Sequence, residues 1–176
     1  MASSFIKIDN IGFWARDGFV EAMQLCLIHE IENQNLDSTE WINGFKNELA
    51  LQALPMIYGG MSMGLEKFIT TTERRTQVVE LIDLIVKKID TTDNYITGPN
   101  LHDMRKRAMH ILSETGELKF KDQDDFERTV NDSSWNLSDG ISAVKNRYQH
   151  AFKLLKMLII GNMNTTASSP ETYWNF

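Results

Sequence analysis

The stretch Arg105-Lys106-Arg107-Ala108-Met109-His110 sets an arginine and a histidine apart by four intervening residues in a segment with helical spacing. Cleaving a phosphodiester takes a proton carrier that works near neutral pH and a cation that stabilises charge building on the phosphate. Histidine and arginine suit those two tasks. Gly60-Met61-Ser62-Met63-Gly64 has the form Gly-x-Ser-x-Gly, but that pattern works as a strained elbow atop a parallel sheet. Nothing upstream alternates like such a strand, and no Lys-Ser/Thr follows to make the glycines a phosphate loop. Among His29, His102, His110 and His150, no two are four apart and none has a glutamate three residues before it. The bis-histidine zinc face and the Glu-x-x-His face of di-iron bundles are therefore missing. Cys26 is the only cysteine and supports neither an internal disulfide nor a cysteine zinc site. Asp122, Asp124 and Asp125 begin like a calcium loop but lack its glycine and closing glutamate. No cofactor or metal is expected.

The Arg105–His110 spacing resembles the Arg-x(4–6)-His pattern of the HEPN family of helical ribonucleases. The resemblance covers six residues of the 176 and implies an arginine at the phosphate and a histidine handling the proton. On an ideal helix the two are about 140° apart. His110 then falls opposite the Leu101/Met104/Ala108/Ile111 stripe and faces solvent, while Arg105 borders the core. A shared site would need a second subunit to cover that face.

Six helices can be placed to carry these residues. The first spans 16–33 on a stripe of Val20, Met23, Leu27 and Ile31. The second opens at Asp37-Ser38-Thr39-Glu40, a capping-box pattern, buries Trp41, Ile42, Phe45, Leu49 and Ala53, and stops before Pro55. Residues 58–64, with three glycines, read as a loop. The third helix, residues 73–90, follows the capping pattern Thr70-Thr71-Thr72-Glu73 and is apolar on several faces, which predicts the central helix. The fourth runs from Asn100 to a stop at Gly116, and the fifth covers 122–130. The sixth covers 138–160 with Ile141, Val144, Tyr148, Phe152, Leu155 and Ile159 inward. Residues 5–8 and 118–121 alternate and predict a minor two-stranded ribbon. The expected fold class is all-α: a compact bundle of about six helices, as a single domain over 1–162 with a flexible or peripherally docked tail over 163–176.

Charge is uneven along the chain. Residues 1–66 hold nine acids and three bases, and residues 67–176 hold 15 of each, so the whole net charge of −6 lies in the first third. That disfavours nucleic acid as a partner and suits steering of a basic protein. There is no basic-then-apolar leader, no lipidation signal and no run of about 20 apolar residues. A cytoplasmic protein without membrane association is expected. With the common chemical signatures missing, the leading expectation is a non-enzymatic domain that acts by covering a protein partner. Toxin-neutralising immunity proteins are an analogy for that design. Trp14, Tyr58, Met61, Met63, Tyr173, Trp174 and Phe176 are the candidate contacts, since Trp and Tyr anchor interfaces and Met repacks around partners. The alternatives are a HEPN-like ribonuclease or inactive relative using Arg105 and His110, and a homo-oligomeric structural subunit.

Overall fold

The structure is a computed structural model that describes residues 3–54, 60–93, 95–131 and 141–169, with only the backbone for 141–144. It is mostly helical, with a small two-stranded antiparallel sheet at the N-terminus. The strands are β1 (Ser3–Ile8) and β2 (Ile11–Arg16), paired from Ser3↔Arg16 to Ile8↔Ile11. Asp9 in the two-residue turn takes φ +54°, a left-handed conformation that a short polar side chain tolerates. The partner of the first strand is therefore the adjacent segment, and the expected pairing with 118–121 is corrected. Leu118 and Phe120 alternate for another reason: both lie half-buried against the core. Gly12 permits the close pairing, because a Cβ there would sit 2.1 Å from the Ile6 carbonyl oxygen.

Among the described residues there are seven α-helices: α1 (Asp17–Asn33), α2 (Glu40–Gln52), α3 (Leu65–Phe68), α4 (Thr72–Thr91), α5 (Gly98–Glu114), α6 (Gln123–Asn131) and α7 (Ile141–Ile159). A single 3-10 turn, Leu36–Ser38, precedes α2. Asp37 lies in that turn and Thr39 is the residue before α2, so the capping box expected at Asp37 does not form.

The central helix is α1, not the 73–90 segment. Twelve of the 17 residues of α1 are buried, and it packs against α2, α4, α5, α7 and both strands. In α4 only Val78, Leu81, Ile82, Ile85 and Ile89 are buried, while Val79 and Val86 are half-buried against the core. The expectation failed because α1 carries Asp17, Glu21, Gln24 and Glu30, residue types that ordinarily mark a solvent face. Here all four are buried, and interior polar groups persist when they are paired.

Local signals set most helix ends. Thr71 caps α4, accepting from the Arg74 N–H at 3.3 Å. Pro99 occupies the first turn of α5, where its missing N–H costs nothing, so α5 starts before Asn100. Asp122 accepts from the Asp125 N–H at 2.9 Å ahead of α6. Gly161 ends α7 at φ +76°, with the Asn162 N–H donating to the Met157 carbonyl at 2.9 Å. Arg75 reaches from α4 to the Ile159 carbonyl at 3.4 Å, satisfying the C-terminus of α7. Beyond α7 the chain returns to β2: the Gly12 N–H donates to the Thr165 carbonyl at 2.9 Å, and the Thr165 hydroxyl donates to the Gly12 carbonyl at 2.7 Å.

Candidate functional site

Arg105 and His110 are not brought together. The Arg105 and Glu21 side chains are both 0% exposed and form an ion pair between α5 and α1. Arg105 also donates to the Thr129 carbonyl of α6 at 3.3 Å. His110 is exposed, its ring 4.6 Å from that of Phe126. One group serves the interior and the other lies on the surface.

Two further polar clusters anchor α1. The Glu30 carboxylate is fully buried and accepts from Lys88 Nζ at 2.9 and 2.7 Å and from the Tyr95 hydroxyl at 2.6 Å. Burial pushes the Tyr95 phenol up, so it remains a donor. Burial likewise pushes the Cys26 thiol up, with Glu30 adding to the effect; the expected core role suits a protonated, unreactive thiol. His29 lies alongside and hydrogen-bonds Asn33 at 2.8 Å. Burial lowers its pKa, and Lys88 adds to that against the opposing pull of Glu30 and Glu32. At the other end of α1, the Ser4 hydroxyl donates to Asp17 at 2.7 Å and accepts from the Met61 N–H at 2.9 Å.

Four of the nine acids of the first third pair with cations from later in the chain. Glu21, Glu30, Glu32 and Glu48 pair with Arg105, Lys88, Arg107 and Lys67, all from the later two thirds of the chain. Burial works to raise the Glu32 carboxyl, but Arg107 and Lys46 outweigh it and the net pKa is lowered. The hydrogen bond to Glu32 raises Arg107, against burial and with help from Glu114. These pairs redistribute the charge along the fold and leave the net charge of −6 unchanged.

Met61 and Met63 are each 2% exposed and belong to the core. The adaptable contact surface expected of them is corrected: neighbouring polar residues pin this segment inward. Gln24 donates to the Ser62 carbonyl at 2.6 Å, and the Ser62 N–H donates to Gln52 at 3.1 Å. The Ser62 hydroxyl accepts from the Gly64 N–H at 3.1 Å, a local turn contact. Trp14 is half-buried, packs on Phe5 at 5.3 Å between centroids, and donates to the Ala167 carbonyl at 3.1 Å. Its polar edge is therefore used within the chain. Tyr58, Tyr173, Trp174 and Phe176 lie outside the described residues.

A groove among the described residues was not anticipated. This groove, of about 830 Å³, runs along the outer side of α2 towards α3 and the start of α4. Trp41, Leu51 and Phe68 give it an apolar floor, and Glu40, Glu48, Lys67, Arg74 and Glu117 also line it. Phe68 packs over Gly44, where a Cβ would come 3.0 Å from the ring, and lies 5.8 Å from Phe45 between centroids. Both aromatic faces carry a cation: the Arg74 guanidinium is 5.1 Å from the Trp41 ring and Lys67 Nζ is 4.7 Å from the Phe68 ring. Arg74 is further held by donating to the Phe68 carbonyl at 3.2 Å. Sequence reading assigned Trp41 to the buried stripe of its helix, and helical spacing does place it beside Phe45. Only the position of Phe68 makes that edge a groove wall, and residues 65–69 carry no periodicity that announces it.

Among the described residues no group of three or more His, Cys, Asp and Glu could hold a metal ion. No helix among them is long and apolar enough to cross a membrane. Compared with known proteins, the chain matches no family model, no curated protein and no solved structure.

Proposed function

We propose that this chain is a non-enzymatic protein-binding domain of the cytoplasm, which acts by covering a partner in the manner of an immunity protein. The observation that carries the reading is the groove of about 830 Å³ walled by Trp41 and Phe68. Its size fits a few side chains of a docked segment, and aromatic residues with a charged rim are what interface anchors consist of. Arg105 spends its charge on Glu21 inside the fold, so the arginine that the ribonuclease alternative relies on does not stand beside His110. Residues 1–162 would act as one compact helical bundle, with 163–176 as an appended segment.

The test is affinity capture from source lysate with the wild-type chain, Trp41→Ala, and Glu114→Ala as a surface control. A partner recovered by wild type and control, lost with Trp41→Ala, and reconstituted as a stoichiometric complex from purified components supports the reading. Recovery that is indifferent to Trp41 overturns it.

A further inference from the structure

We propose that the α2–α3 groove is a seat for an arginine side chain of the partner and that Lys67 occupies this seat in the free chain. The inference rests on the protein-binding reading and adds the chemistry of what is bound. The two cations of the groove are held very differently. Arg74 is half-buried, lies over Trp41 and is fixed by the Phe68 carbonyl. Lys67 has a side chain 68% exposed, touching Glu48 at 3.2 Å and the Phe68 ring at 4.7 Å.

The groups that Lys67 touches are the fixed ones. Glu48 is only 18% exposed and is braced by Gln52, which donates to its other oxygen at 3.0 Å. Phe68 is wedged over Gly44 and against Phe45. The arrangement is a rigid carboxylate and a rigid ring face with a labile occupant, because an exposed lysine pair gains little and is entropically costly to hold.

An arginine fits the same two groups better than a lysine. Its planar guanidinium can lie on the ring and present two parallel donors to the carboxylate. Apolar neighbours of that arginine would rest on Leu51. Glu40 and Glu117, which make no ion pair among the described residues, would attract further basic residues and repel an acidic segment. The occupant is therefore a short basic, amphipathic segment of a protein.

The experiment titrates the full chain with the peptide Ala-Leu-Arg-Ala-Leu-Arg and with its counterpart carrying glutamine in place of arginine. Affinity is read by calorimetry, and the location by amide shifts of Gly44 and Phe68. The arginine peptide should shift both amides, and the glutamine peptide should bind at least about tenfold more weakly. Lys67→Ala should tighten arginine-peptide binding about two- to fivefold by vacating the seat, whereas Glu48→Gln should weaken it about tenfold. Circular dichroism checks that both variants are folded. Equal binding of the two peptides, no shift at Gly44 and Phe68, or a Lys67→Ala variant that binds no tighter overturns the inference. The protein-binding reading would survive any of these results if partner capture still depended on Trp41.

Discussion

Replacing Arg105 with methionine keeps much of the side-chain volume but leaves the Glu21 carboxylate with its charge in the interior. Both side chains are 0% exposed in the native fold, so water cannot take over the role of the guanidinium. Breaking a buried pair from one side costs about 3–5 kcal/mol. For a chain of this size that corresponds to a fall in Tm of roughly 6–20 °C. Glu21→Leu should cost a similar amount for the mirror-image reason. The double variant Glu21→Leu/Arg105→Met removes both charges and should regain most of the loss, since an apolar pair of similar volume is often as stable as the ion pair. Urea melts followed by far-UV circular dichroism measure all four corners of the cycle. A single variant costing less than about 1 kcal/mol, or a double variant equal to the sum of the singles, would refute the reasoning. The same calculation warns against Arg105→Ala as a probe of RNA cleavage, because lost activity would be confounded with lost folding. His110→Ala, at an exposed position, is the informative variant.

Tyr95→Phe removes the hydroxyl that donates to buried Glu30 at 2.6 Å; it should cost about 1.5–3 kcal/mol in a urea melt and leave helix content unchanged. Stability should also fall on acidification from neutral pH, because burial and Lys88 hold the His29 pKa below its unfolded value of 6.5 despite Glu30 and Glu32. The fold favours neutral His29, so nothing is lost above that value and the loss grows as pH drops through it towards the folded pKa. Tm measured between pH 7.5 and 5.5 should show this decline, and His29→Gln should reduce it, leaving the part due to His150, whose pKa burial and Lys153 also lower; an unchanged slope in the variant would assign the acid sensitivity elsewhere.

Helical spacing and end punctuation located six of the seven helices among the described residues to within a few residues, missing only the four-residue α3, because the repeat of a helix and its terminators are properties of neighbours in sequence; the expected start of the last at 138 lies outside the described residues. Gly116 at φ +77° and Gly161 at φ +76° stand where helix ends were expected. What the local pattern could not supply was the identity of each residue's distant partner. Glu21, Gln24 and Glu30 are residue types that usually face water. Arg105, the Ser62 carbonyl, Lys88 and Tyr95 make α1 the central helix. The cations that pair with Glu48, Glu30 and Glu32 come from α3, α4 and α5. Trp41 looked buried until Phe68, 27 residues away in sequence, came to stand beside it as the other wall of a groove. Sequence fixes periodicity because backbone geometry is local. Charge pairing, burial and concavity are decided by contacts between distant segments, and only the tertiary structure brings those segments together.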